Sequence, residues 1–416
     1  MKNTEHLWSQ QLVKIIESSF ITNTDRVACA ALNTLLHREG SEQTLKLRTM
    51  TDLCDRHGKE VEEYLKEQAQ EILERHGFDP ETGLPREGSA LSKDFLHPLA
   101  EKTNAPDDRM KCLIQDINEK REGKERIPEG SEKVYDVEWP DDAVVEVSLD
   151  GVLSKRQKAH RANQDTEGST QLKSVSKKRP VVETSVAHIR ANGKRYILTA
   201  QNMYSLCIRV LAFLLEHGLL SNRKLVIFTD GAAEIKTCVD TIFAFCCHHI
   251  VLDWFHLKKH CYELLSMILK SGKSNRNMRH NVMKCLMRIL WVGNVAGAIQ
   301  YLSELPSDCV KSEEKRQELI RYLQRKEPGI ACYALRAYLG LRVSSNPVEK
   351  ANDLIVAKRQ KHQGMSWSYH GSWHFAALTA LYVNDEAETW HRSASLSFAM
   401  VPASLSVPSA SAVPVA

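Results

Sequence analysis

The apolar positions of this chain change period twice. From residue 1 to about 80 they recur at helical spacing: Leu7, Leu12, Ile15 and Ile16, then Val27, Ala30, Leu32 and Leu35, then Leu45, Leu47, Met50 and Leu53. Gly58 reads as a break, a further stripe of Val61, Tyr64, Leu65, Ala69 and Leu73 follows, and Gly77 closes it. At Ala143 the period falls to two. Val145, Val147 and Leu149 alternate with Glu146, Ser148 and Asp150, which predicts a strand ending at Asp150-Gly151. Strands follow over 180–189 and 195–200, joined by an Asn192-Gly193 turn, and then a helix over 203–217. The unbroken run Leu225-Val226-Ile227-Phe228 predicts a strand buried on both faces, ending in Thr229-Asp230-Gly231. A helix to about 245 and a fifth strand over 249–253 complete the series.

Three strands in a meander, then helix, strand, helix, strand, predict an α/β core: a mixed sheet with helices on its faces. Residues 254 to about 340 return to helical spacing, with no strand signal, and read as an all-α insertion. Asn346-Pro347-Val348-Glu349-Lys350 opens a helix through about residue 361, with proline near its first turn, and an apolar helix follows over 373–383. The expected organisation is a helical N-terminal region over 1–125, a linker over 126–142 and the first part of the core over 143–256. The all-α insertion takes 257–345, the last part of the core 346–392, and a low-complexity, disordered tail 393–416. The N-terminal helices fit either a helix-turn-helix DNA reader or a plain helical or dimerisation domain.

Composition narrows the picture only a little. A formal charge of +4 neither requires nor excludes a nucleic-acid partner. Eleven cysteines form no even framework, no secretory pattern opens the chain, and no apolar run is long enough for a bilayer. The expectation is a cytoplasmic protein with free thiols and no membrane partner.

Two acids follow the strand patterns, Asp150 and Asp230, 80 positions apart. A carboxylate at the end of a buried strand is costly unless it is paired or binds a cation, and two carboxylates at one sheet edge favour hard divalent ions. Glu349, in the first turn of a helix that also carries Lys350, Lys358, Arg359 and Lys361, is the candidate third acid. Each has a plainer reading: Asp-Gly as a turn, Glu349 as a helix-terminal acid. Their combination with the strand order is more specific. The basic stretch that begins at Lys155 and Arg156 reads as a solvated loop or as a phosphate contact. Trp367, in a polar turn, is a candidate for stacking on a base. Cys246-Cys247-His248-His249 does not make one zinc site, because consecutive strand residues face opposite ways.

The segments VSLDG, LVIFTDGA, IVLDWFH and NPVEKANDLIVAKRQKHQGMSWS together resemble the DDE transposases of bacterial insertion sequences, most of all the Mutator-related group. The resemblance spans about residues 143–383 and implies a ribonuclease H-like core. It implies that Asp150, Asp230 and Glu349 bind two magnesium or manganese ions. Asp253 and His256, of the Asp253-Trp254-Phe255-His256 segment, would act beside them, on the metals' outer partners or on DNA. Lys155, Arg156, Lys350, Lys358, Arg359, Lys361 and Trp367 would contact DNA. The implied activity frees a 3′-hydroxyl at an element end and joins it to target DNA, in a homo-oligomer associated with the nucleoid. A decayed, DNA-binding regulator and a structure-specific nuclease on the same core are the alternatives.

Overall fold

The computed structural model describes residues 9–37, 45–88, 108–121, 125–128, 143–157, 180–221, 223–246, 248–273 and 275–403. Most of the expected linker, the basic stretch from residue 158 to 179, Cys247 and the tail from 404 lie outside the described residues.

Six strands form a mixed sheet in the order β5-β4-β1-β2-β3-β6: β1 (Val144–Lys155), β2 (Val181–Ala191), β3 (Lys194–Ala200), β4 (Lys224–Thr229), β5 (His248–Leu252) and β6 (Val401–Pro402). β1 runs parallel to β4, and β4 parallel to β5. β2 and β3 are antiparallel around Asn192 and Gly193, both at positive φ, as a two-residue hairpin requires. Val144 stands opposite Lys224 and Ser148 opposite Phe228, a constant offset of 80 residues that also separates Asp150 from Asp230. The β4–β5 register, Thr229 opposite Leu252, has an offset of 23, the separation of Asp230 from Asp253.

The chain forms two compact units. The first comprises Met1–Arg86, Asp150–Glu216 and Pro347–Ala416; the second comprises Glu87–Leu149 and His217–Asn346. In the first unit, α1 (Gln10–Thr22), α2 (Asp25–Leu35) and α3 (Leu47–Arg75) account for the N-terminal helical periodicity. Ser9 and Thr24 cap α1 and α2 through their hydroxyls. α3 does not break at Gly58. A Cβ there would stand 2.3 Å from the carbonyl oxygen of His374, so glycine serves a close crossing with α13 (Tyr369–Val383) and not a helix end. α5 (Met203–Glu216) is fixed to α3 by Arg209, whose guanidinium forks onto Glu62 at 2.9 and 2.6 Å and also reaches the Thr199 carbonyl at 2.6 Å. Val152, Val186 and Ile197 of the sheet pack with Val348, Ala351, Ile355, Val356, Ala376 and Ala380. These last belong to α12 (Asn346–Asn352), to the π-helix Asp353–Lys361 that continues it, and to α13. α14 (Ala387–Ser393) closes the last part of the core, and β6, which pairs with β3, lies in the stretch read from sequence as a structureless tail.

In the second unit, α4 (Asp108–Glu119) packs Met110, Ile114 and Ile117 with Val292 and Leu335. α6 (Ala233–Ile242) follows β4, and α7 (Trp254–Ile268) follows β5. α8 (Arg276–Trp291), α9 (Val295–Ser303), α10 (Glu313–Lys326) and α11 (Tyr333–Tyr338) come next without a strand. Their apolar stripes share one core with Val226, Phe228, Val251 and Leu252. No helix among the described residues is long and apolar enough to cross a membrane.

Candidate functional site

In the first unit, Asp150 does not end its strand. β1 continues five residues beyond it, because Val152 and Ser154 are buried and keep the alternation going. Gly151 is not a turn residue either: a Cβ there would meet Glu183 Oε1 at 2.5 Å. The half-buried Asp150 carboxylate accepts the Gly151 N–H on Oδ1 at 2.8 Å and the side-chain amide of Asn352 on Oδ2 at 2.6 Å. Asn352 lies one helical turn after Glu349 on α12, so this bond ties the glutamate helix to Asp150 across 202 residues of sequence. Glu349 is exposed, while Val348, Ala351 and Asn352 are buried. Asn352 Oδ1 is buried and has no hydrogen-bond partner among the described residues. Sequence reasoning passed over Asn352, although it stands inside the quoted VEKAND segment.

The basic candidates divide. Lys155, Arg156, Lys350 and Lys361 are exposed and Lys358 is half-buried. Arg359 is not available to DNA, contrary to expectation: its side chain is 1% exposed. Its Nε donates to the Phe20 carbonyl at 2.9 Å, and its guanidinium pairs with Asp25 and lies 5.5 Å from the centroids of Trp367 and Phe375. The π-helix explains the error, since its wider turn carries Ile355, Val356, Arg359 and Gln360 all to the buried side. Trp367 is half-buried, 5.2 Å from the Phe375 ring, and its Nε1 has no partner among the described residues. Its backbone bonds to Lys155 and Gln157 at 2.9 and 2.8 Å, which fixes the turn against the end of β1.

In the second unit, Asp230 follows β4 and accepts the Ala232 N–H at 2.7 Å, closing the turn into α6. Gly231 has φ +85°, and a Cβ would stand 2.6 Å from Leu252 Cδ1. Lys326, at the end of α10, donates to the Gly231 carbonyl. Burial, reinforced by Arg325, holds its ammonium below the usual lysine range, while Asp230 pulls the other way. Lys326 thus brings a cation to Asp230, and nothing in its amphipathic helix announces that.

Asp253 is completely buried and caps α7: Oδ1 accepts the His256 N–H at 2.8 Å. Oδ2 accepts the backbone N–H of Ser345 at 2.5 Å and its hydroxyl at 2.9 Å. Burial pushes this carboxyl up, but the donors from His256 and Ser345 outweigh it, and the net displacement is below the ordinary aspartate value. His256 is half-exposed, with Nδ1 3.3 Å from Asp253 Oδ1. Ser345 is the residue before α12, four before Glu349, so Asp253 fixes where that helix begins.

Within the first unit, the half-buried Asp150 carboxylate and the unpaired Asn352 amide oxygen are hard oxygen donors of the kind that suits divalent ions. No protein-family model, no curated protein and no solved structure matches the chain.

Proposed function

We propose that the chain is a DNA transposase with a ribonuclease H-like catalytic core, working through Asp150, Asp230 and Glu349 on two magnesium or manganese ions. The observation that carries this reading is the 2.6 Å bond from Asn352 to Asp150, which joins the helix bearing Glu349 to the strand bearing the first aspartate. The mixed sheet, with parallel β1, β4 and β5 and the antiparallel β2–β3 pair, supports the fold half of the reading. Magnesium in such a site supplies activation of the attacking oxygen and neutralisation of the leaving one.

The chain's own groups do the rest. Asn352 holds the Asp150 carboxylate by one oxygen, which fixes its rotamer. Asp253 anchors Ser345 and so the start of α12. The exposure of Lys155 at the end of β1, of Arg156 just after it, and of Lys350 and Lys361 supports contact with phosphates, in a nucleoid-associated protein of the cytoplasm acting as a homo-oligomer.

The test uses the purified full chain, magnesium, and DNA carrying the inverted repeats that flank its gene. The expected result is nicking that exposes a 3′-hydroxyl, followed by joining of that end to a plasmid. Asp150→Asn, Asp230→Asn and Glu349→Gln are each expected to lower cleavage by about a hundred- to a thousandfold, the range seen when a single transition-state stabilising group is lost, while DNA binding persists. A wild-type chain that binds these ends and never cuts them overturns the reading. Cutting without joining leaves a nuclease.

A further inference from the structure

A second group of metal-ligating side chains lies in the first unit, on elements that carry neither Asp150 nor Glu349. Glu17 on α1, His57 on α3 and His391 on α14 place one ligand atom each within 4.8 Å of one another. The Glu17 side chain is fully buried, with Oε1 2.5 Å from His57 Nδ1 and Oε2 3.0 Å from His391 Nε2. The His391 side chain is 5% exposed and that of His57 is 18% exposed, so the cluster is nearest to solvent at His57. Tyr382 on α13 donates its hydroxyl to Glu17 Oε2 at 2.7 Å and stands 3.5 Å from His391 Nε2.

We infer that Glu17, His57 and His391 form a zinc site that staples α1 and α3 to α14. Two imidazoles and one carboxylate are a known zinc donor set, with a solvent molecule in the fourth position. With ligand bonds of 2.0–2.2 Å, tetrahedral donors stand roughly 3.4 Å apart. The Glu17–His57 and Glu17–His391 separations, 2.5 and 3.0 Å, have to open by only a few tenths of an ångström to about one ångström to meet that. The hydroxyl of Tyr382 orients the carboxylate from outside, as outer partners of metal ligands do. The two imidazoles come from different helices and converge with the carboxylate so that one ligand atom of each lies within 4.8 Å of the others, which supplies three of the four tetrahedral positions. Softer imidazole donors select zinc here, whereas an all-oxygen set selects magnesium.

The test is titration of the metal-free full chain with zinc, with metal content, thermal midpoint and the visible spectrum of the cobalt form as readouts. Expected are one zinc bound per chain at this site, a higher midpoint, and cobalt bands of nitrogen and oxygen ligation without the intense near-ultraviolet band of thiolates. His57→Gln and His391→Gln remove that spectrum, and Tyr382→Phe weakens binding by about tenfold. A chain that takes up no zinc, or takes it up only with the thiolate signature of its free cysteines, overturns the inference, and so does undiminished binding by His57→Gln. The wild-type cobalt spectrum decides the matter even if a variant fails to fold.

Discussion

Asp253→Ala removes more than a charge. It deletes the cap of α7, which costs about 1 kcal/mol, and the two bonds that Ser345 donates to a buried carboxylate. Hydrogen bonds to charged groups contribute about 1.5–3 kcal/mol, and a stranded buried N–H costs about 1–3 kcal/mol. These overlap, so the expected loss is about 3–5 kcal/mol. Asp253→Asn retains one acceptor oxygen and turns an NH2 toward a donor, so it costs about 2–3 kcal/mol by the same values. Ser345→Ala keeps the backbone bond and costs about 1 kcal/mol. Urea denaturation monitored by hydrogen exchange at α7 and at residues 344–352 checks the ranking Ala worse than Asn worse than Ser345→Ala. The acid side supplies a second check. The folded carboxyl lies below its ordinary value, so its stabilisation is whole above about pH 4, the unfolded aspartate value, and fades as pH falls through the folded one. The gap between wild type and Asp253→Asn therefore stays constant from neutral pH to about 4 and narrows below it. A wild-type-like Asp253→Asn, or a Ser345→Ala as damaging as Asp253→Ala, refutes the reasoning.

Gly58→Ala forces α3 and α13 apart at the His374 carbonyl and is expected to cost about 1–3 kcal/mol, the usual range for overpacking, read as a lower thermal midpoint. Arg209→Ala strands the Glu62 carboxylate and is expected to cost about 3–5 kcal/mol, whereas the pair Arg209→Met with Glu62→Leu recovers most of that in denaturant titrations. For the magnesium site proposed at Asp230, Lys326→Met removes a neighbouring cation and is expected to tighten binding about tenfold in calorimetry, the effect of about 1.4 kcal/mol.

The sequence made some features plain and hid others for identifiable reasons. β4 was legible because a strand covered on both faces leaves an unbroken apolar run, and its acid stood out against it. β1 was read too short because Asp-Gly looks like a turn, and only the Glu183 side chain reveals that Gly151 answers a neighbour. Gly58 misled in the same way. Arg359 sits in a basic run that any pattern reading places on the surface, and a π turn buries it with Asp25. Asn352 and Ser345 carry no charge and follow no period, so their roles exist only once distant segments meet. α14 is seven residues long and β6 two, too short for periodicity to register.

The first unit is assembled from three stretches, and the last begins at Pro347. On a ribosome adding about 5–20 residues per second, α3 emerges some tens of seconds before α13, the helix that crosses it at Gly58. During that interval the buried side of α3 around Gly58 is without that partner. A message truncated before Pro347 would therefore yield a chain whose N-terminal helices cannot finish folding, a natural substrate for chaperones and proteases. Only translation of the stretch from Pro347 onward releases the opening helices from that wait.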